Sequence, residues 1–169
     1  MKINNPVHIS LKDFFLKEQF DIIKVGQTKE WILNNFPEPD DDTDMGNGFS
    51  IIRYGWIELH FDLDKLFLIW CDSLPYIEDS DQIKYDKWML ANLDEMTLEH
   101  IQKSLNSESV NYLVKFNTEE QHVIVKIKYS GVNLWFHPET EKMSKELNKY
   151  KLFAFGKSEE DYDNFNRGF

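Results

Sequence analysis

Three β-strand patterns between residues 50 and 71 constrain the fold of this chain most strongly. The segments 50–54, 56–61 and 65–71 are rich in Ile, Tyr, Trp and Phe, which favour strands. Only Gly55 and the Asp62-Leu63-Asp64 segment separate them. Connections this short predict a tight antiparallel meander.

The middle strand of this meander alternates in character. Ile57, Leu59 and Phe61 fall on one face, which we predict to be the core face. The opposite face is predicted to point outward. It carries Trp56, Glu58 and His60.

A short helix and an acidic segment precede the meander. Thr28 is a good N-cap, Ile32 and Phe36 recur at helical spacing, and Pro37 ends the helix. The segment 38–48 is predicted to be an irregular loop because neighbouring aspartates repel one another and glycine weakens a regular backbone. Its acidic residues are Glu38, Asp40, Asp41, Asp42 and Asp44.

The same plan returns between residues 96 and 155. Thr97 is again followed by apolar residues four and eight positions later, and strands are predicted at 112–116, 122–129, 132–136 and 151–155. Aligning IELHF at 57–61 with VNLWF at 132–136 sets Glu58 against Asn133 and His60 against Trp135. In the strand 122–129, alternation is expected to bury Tyr129 and to expose Ile124.

We therefore predict an α+β fold of two similar halves, each with a short helix or two packed on an antiparallel β-meander. The prediction is one domain over residues 1–169, with internal repeats at 21–74 and 93–156 and a linker at 75–92. Before the first repeat, Ser10 is expected to cap a short helix over 11–19, with Asp13 completing a loose capping box. The tail at 157–169 is expected to be a short helix or a loose end.

Charge restricts the classes of partner. Acidic residues outnumber basic ones 30 to 19, for a net charge of −11. This field repels phosphate backbones and anionic membranes, so we expect no nucleic-acid or membrane partner. It attracts a basic protein, although plain solubility is the simpler explanation of the same charge.

Cellular location is predicted from cysteine content and hydropathy. Cys71 is the single cysteine, so no intramolecular disulfide forms, and its apolar surroundings indicate a small buried side chain. The first 20 residues mix charge into every apolar window, and no apolar run reaches 18 residues. We expect a cytoplasmic protein.

The acidic segment invites comparison with a calcium loop. Asp40, Asp42 and Asp44 occupy alternate positions, as in an EF-hand. However, Met45 stands at position six in place of glycine, and Ile51 stands at position twelve in place of the closing acid. A solvated or partner-facing segment is the better interpretation.

Catalytic signatures are missing from the sequence. There is no G-x-S-x-G, phosphate-binding glycine loop, H-E-x-x-H or paired C-x-x-C, and Cys71 has no identifiable His and Asn partners. We predict that the protein is not an enzyme and has no cofactor or metal site. The alternative is a small metal- or ligand-binding enzyme that uses His60, Asp62 and His137.

The predicted outward face has the composition of a protein interface. Trp56, Glu58 and His60 come from the first half, and Asn133, Trp135 and His137 come from the second. Rigid tryptophan rings beside polar groups are concentrated at interfaces because they bury a large area at little entropic cost. The alternative is that the protein's own helices or tail cover this face.

A family resemblance rests on several short motifs. The first half has Gly26-Gln27-Thr28 at a helix start, then Ile32, Pro37, Pro39, Asp40, Tyr54-Gly55 and Phe61; the second half has Met96-Thr97, Ile101, Leu105, Gly131 and Phe136. With these motifs the chain resembles the small repeat of the β-lactamase inhibitor protein and outer-membrane assembly lipoprotein family. The chain is also similar to bacterial immunity proteins of contact-dependent growth inhibition and polymorphic toxin systems, which are small, acidic and rich in aromatic residues.

The resemblance implies helix-backed antiparallel sheets and a protein-binding surface. We expect an immunity protein that neutralises a cognate toxin domain, such as a basic nuclease, by covering its active site. A non-catalytic structural role in a larger assembly is the other alternative, and the oligomeric state is left open. The expected contact residues are Glu38, Asp40, Asp41, Asp42, Asp44, Trp56, Glu58, His60, Trp135 and His137.

Overall fold

The computed structural model describes residues 6–74, 76–140 and 142–159, and these form one large antiparallel sheet with helices. The elements are β1 (Val7–Ser10), α1 (Leu11–Lys17), α2 (Lys29–Asn35), β2 (Asp41–Gly46), β3 (Phe49–Tyr54), β4 (Ile57–Asp62), β5 (Lys65–Cys71), β6 (Ile83–Asp86), α3 (Leu98–Ser107), β7 (Tyr112–Asn117), β8 (His122–Ile127), β9 (Asn133–Pro138) and β10 (Tyr150–Ser158). Short 3-10 turns lie at Trp88–Leu90, Leu93–Glu95 and Leu147–Lys149. The predicted α+β class is confirmed.

The large sheet has eight strands in the order β2-β3-β4-β5-β10-β9-β8-β7. Two four-stranded meanders therefore meet at the centre, where β5 pairs with β10. Gly156 lies opposite Trp70 in this central pair. The predicted strands of both meanders are confirmed, with ends that differ by a few residues.

The three helices of the described residues contribute to one hydrophobic core on one side of the sheet. Phe14 of α1, Ile32 of α2 and Ile101 of α3 are buried in the same cluster as Leu59 and Phe136 of the sheet. The opposite side holds a second, smaller cluster around Trp135, to which none of the described helices contributes. We call this side the open face.

Side-chain caps begin the helices as predicted. The hydroxyl oxygens of Ser10, Thr28 and Thr97 accept from the backbone N–H groups of Asp13, Trp31 and His100 at 3.1, 3.2 and 3.2 Å. A cap satisfies one of the unpaired donors of the first turn. Each of the two later caps also forms a bridge to the last strand of its meander, Thr28 to Lys65 and Thr97 to Lys151.

The segment predicted as an acidic loop contains an edge strand instead. β2 pairs with β3 in register, with Asp41 opposite Arg53 and Asp42 opposite Ile52. Repulsion between the aspartates is offset because Arg53 contacts Asp41 at 2.6 Å and Lys29 contacts Asp42 at 2.5 Å. The prediction of an irregular loop was wrong because it considered only the repulsion between neighbouring aspartates. The two cations that offset this repulsion lie outside the segment.

The segment predicted as a linker contains part of a second sheet. β6 pairs in parallel with β1, with Val7 opposite Ile83, and both side chains are buried. Met89 and Leu90, in the following 3-10 turn, are also buried. This segment packs against the core rather than only connecting the two meanders.

Two predictions of burial in the second half were also wrong. Ile124 is fully buried because it packs with Trp135 on the open face, and Tyr129 is 84% exposed because β8 ends before it, at Ile127. Most of the C-terminal tail, from residue 160 on, lies outside the described residues. No helix within the described ranges is long and apolar enough to cross a membrane.

Candidate functional site

The open face is continuous across both meanders. Side chains at directly paired positions of neighbouring strands point to the same face of a sheet. The register therefore places one row of residues across six strands: Arg53, Glu58, Trp70, Gly156, Asn133 and Lys126. Both halves thus contribute to a single surface.

Aromatic rings fill the middle of the open face. The ring centroids of Trp70 and Trp135 are 4.9 Å apart in an edge-to-face arrangement, which aromatic pairs prefer. Trp135 is only 7% exposed, because Ile124 and Ala154 also pack against it. Trp70 is half-buried over it. Trp135 was predicted to contact a partner. In the structure it mainly supports the ring of Trp70, which is partly exposed to solvent.

Two β-bulges add further rings to this face. The register of β4 with β5 shifts between His60 and Phe61, and that of β10 with β9 shifts between Leu152 and Ala154, which leaves Phe67 and Phe153 as extra residues. A bulge redirects a side chain that regular alternation would turn the other way. Phe67 packs edge-to-face on Phe49 at 6.1 Å.

His137, on β9, is the other predicted residue at this end of the face. Its ring stacks on that of Phe153 with centroids 3.8 Å apart. The ring of His122 lies 6.5 Å away, and burial lowers the pKa of His122. His137 is therefore part of the aromatic surface.

A chain of polar and charged groups occupies the first half of the face. His60 Nε2 lies 2.8 Å from Glu58 Oε2, and both side chains are half-buried. Glu58 pairs across the strands with Arg53, which in turn binds Asp41. The hydrogen bond from Arg53, followed by one from Thr43, lowers the pKa of Asp41, and Asp41 raises the pKa of Arg53.

The remaining aspartates of the acidic segment also have contacts within the protein. Asp40 Oδ2 accepts from the backbone N–H of Gly55 at 2.5 Å, and Asp44 Oδ1 accepts from that of Gly46 at 2.8 Å. Because these carboxylates stay exposed, they add negative potential along the β2 edge while shaping the local backbone. Glu38 is likewise exposed, between α2 and β2.

Trp56 lies beside the face rather than within a strand. It occupies the turn between β3 and β4, is 48% exposed, and has its ring centroid 6.0 Å from that of Tyr76. Of the two predicted tryptophans, Trp56 is therefore the one that presents ring surface to solvent.

The residues of the alternative enzyme site are not brought together. His60 lies on β4 and His137 on β9, and β5 and β10 run between them, so the two strands are roughly 14 Å apart. Among the described residues, no group of three or more His, Cys, Asp or Glu side chains is arranged to hold a metal ion. Cys71 faces the core, and burial raises the pKa of its thiol to about 12.

Sequence reasoning missed four aromatic residues of the open face. They are Phe49, Phe67, Trp70 and Phe153. Alternation along each strand would have assigned Phe49 and Trp70 to the face of Glu58 once the strand pairing was known. No sequence signal marks the bulges that redirect Phe67 and Phe153.

In comparisons with known proteins, no protein-family model, no curated protein and no solved structure matches this chain. The resemblance drawn from the sequence motifs stays a prediction.

Proposed function

We propose that this protein is a cytoplasmic immunity protein that binds a bacterial toxin domain and neutralises it by covering its active site. The observation that carries the proposal is the open face, a broad sheet surface with half-exposed aromatic rings and a charged margin. The described helices all pack on the other side of the sheet.

The arrangement of rings on the open face favours binding of a folded protein. Phe49, Phe67 and Trp70 are held in place by their neighbours, so little side-chain entropy is lost when a partner covers them. Anchors of this kind supply most of the binding energy of protein interfaces. An eight-stranded sheet also provides a rigid support beneath them.

The charge of the first half selects the kind of partner. Asp41 on β2 and Glu58 and Asp62 on β4 form this charged margin, and the whole chain has a net charge of −11. A basic surface, such as the substrate-binding groove of a nuclease, is complementary to this margin. Electrostatic attraction would speed association, while the rings would slow dissociation.

We also infer that the chain contains two copies of one helix-and-meander unit. The register supports this inference. Lys65 bridges to the N-cap residue Thr28, and Lys151 bridges in the same way to the N-cap residue Thr97. In both meanders a bulge follows two residues after the lysine. The central pair is symmetric about Trp70 and Gly156, since Ile69 faces Lys157 and Cys71 faces Phe155.

The proposed copies agree on the core side and differ on the open face. Leu59 and Leu134 occupy equivalent core positions, as do Phe61 and Phe136. The open-face residues that alternate with these core residues differ: Glu58 is equivalent to Asn133, and His60 is equivalent to Trp135. The two halves would therefore contact different parts of the partner.

Co-purification from the native host tests the proposal. The bound protein is identified and expressed alone in a test bacterium, where it should arrest growth, and expression together with this chain should restore growth. A bound protein without toxicity would instead support a structural assembly role, and would contradict the immunity function.

Matched variants test the role of the open face in the same assay. Replacing Phe49 and Phe67 with Ala should abolish protection, because this removes an exposed edge-to-face pair. Trp31→Ala is the control: this ring is 39% exposed but belongs to α2, on the other side of the sheet. If both variants protect equally and remain folded, the open face is not the binding surface.

A further inference from the structure

The two edges of the large sheet differ in how they resist pairing. β2 has three aspartates within its six residues and a register shift between Asp44 and Gly46. Charges and bulges are the usual protection of an edge strand. β7, at the other end, has the sequence YLVKFN, in which Lys115 is the single charged residue, and its pairing with β8 has no register shift.

The outer side of β7 is one edge of the large sheet. Its inner side pairs with β8, and no described strand pairs with its outer side. Leu113 and Phe116 are 42% and 49% exposed. An edge strand that no other described strand covers, with exposed apolar side chains, can serve as a template for another strand.

We propose that β7 pairs antiparallel with β7 of a second copy of this chain, so that the two sheets become one continuous sheet in a two-fold symmetric dimer. In such an isologous interface each residue pair occurs twice, except at the axis. The open faces of the two copies would then lie on the same side of the joined sheet.

Charge decides the register of this pairing. A register centred on Val114 sets Tyr112 opposite Phe116 and Leu113 opposite Lys115, and each pair shares a face. A register centred on Lys115 would set two lysines directly opposite each other, which is destabilising. The proposal therefore commits to the register centred on Val114.

Flanking charges are complementary in the same register. Asn111, whose carbonyl accepts from Lys128 N, falls opposite Asn117 of the second copy. The Asn117 amide donates to Glu120 at 3.2 Å. Lys128 of one copy therefore lies two strand spacings, roughly 10 Å, from Asn117 of the other copy. Because Asn117 holds Glu120, the side chains of Lys128 and Glu120 can reach each other.

A cysteine placed on the two-fold axis tests both the dimer and its register. Val114→Cys brings two thiols to directly opposed positions, where Cα atoms about 5 Å apart permit a disulfide. Leu113→Cys is the control, because its equivalent in the other copy is a diagonal neighbour more than about 7 Å away. The native Cys71 is buried and does not compete.

Mild oxidation should link Val114→Cys into a covalent dimer and leave Leu113→Cys largely unlinked. Linking of Leu113→Cys alone would overturn the proposed register. Equal linking of both variants would indicate random collision, and would overturn the proposal as well.

Reversible association is tested without new cysteines. By sedimentation velocity the wild type should dimerise with increasing concentration, and Leu113→Lys, which faces Lys115 of the second copy, should weaken the dimer at least tenfold. Adding Lys115→Glu to this variant should restore it, since opposite charges then face each other. Leu63→Lys, a 77% exposed site at the turn between β4 and β5, is the control and should dimerise normally.

A wild type that stays monomeric at every concentration would overturn the proposal. None of these experiments contains a toxin, so their outcome is independent of the function proposed for the open face.

Discussion

The two tryptophans predicted to contact a partner have different roles, one on the open face and one beside it. Trp135 is buried against Trp70, Ile124 and Ala154, whereas Trp56 is about half exposed in a turn. A large buried ring contributes to the free energy of unfolding, whereas a large exposed ring can be buried by a binding partner.

We therefore predict that the same substitution has different effects at these two positions. Trp135→Ala should lower the free energy of unfolding by about 3 kcal/mol, because it leaves a cavity beneath Trp70. Trp56→Ala should lower it by less than about 1 kcal/mol, since surface substitutions cost little, but should weaken partner binding. Urea denaturation and binding assays of both variants check this prediction, and equal unfolding midpoints would contradict it.

The ion pair of Asp41 with Arg53 predicts a pH dependence of stability. The pKa of Asp41 is lowered in the folded state by Arg53 and Thr43, so the folded state favours the ionised carboxylate. Its stabilising contribution is present at neutral pH and is lost as the pH falls through this lowered pKa.

In the variant Arg53→Gln, the pKa of Asp41 should rise toward that of an ordinary aspartate. Carboxyl chemical shifts followed by NMR during acid titration measure this value directly. The urea midpoint of the variant should also depend less on pH in the acidic range. An unchanged Asp41 titration would show that Arg53 does not hold the carboxylate.

At the scale of elements, the pair of β5 with β10 joins the two meanders. Gly156 lies at its middle, with the Trp70 ring packed over it. A Cβ atom at Gly156 would lie 2.7 Å from the carbonyl oxygen of Ile69 and 2.9 Å from Trp70 Cε3. The junction therefore requires a residue without a side chain.

Gly156→Ala should cost about 2 kcal/mol of unfolding free energy, because the strands must separate or the Trp70 ring must move. Gly46→Ala is a useful comparison, as nothing lies within 4 Å of its added Cβ and only its positive φ of 80° is unfavourable. That variant should lose about 1 kcal/mol. Urea denaturation compares the two, and a neutral effect of Gly156→Ala would mean that the central pair adapts freely.

At the scale of the molecule, negative charge is concentrated along one edge of the sheet. β2 and the residue before it contain four aspartates, which stay exposed or partly exposed although they hold Arg53, Lys29 and two backbone N–H groups. The field of this edge extends into solvent and acts on a partner before contact.

Replacing Asp40, Asp41, Asp42 and Asp44 with Asn should slow association with the co-purified partner and flatten its dependence on salt. Asparagine still accepts hydrogen bonds, so the local backbone should be retained. The control removes four charges near α2 and α3, at Glu30, Asp94, Glu95 and Glu99. Stopped-flow rates that fall equally in both variants would assign the effect to net charge alone.

Local patterns in the sequence were sufficient for the helix caps and most strands. A hydroxyl at an N-cap and alternation within a strand act over a few residues, so Thr28, Thr97 and the core side of β4 could be predicted. The predicted outward positions of Glu58 and His60 follow from the same alternation. Charge composition likewise determined the kind of partner to be considered.

Only the tertiary structure decided which residues share the open face and how far it extends. Pairing of β5 with β10 brings Trp70 beside Trp135, and two bulges add Phe67 and Phe153. Contacts between distant segments depend on strand order and register, which no short window of sequence specifies. The same reason explains why the acidic segment became an edge strand: its compensating cations, Lys29 and Arg53, lie in other elements.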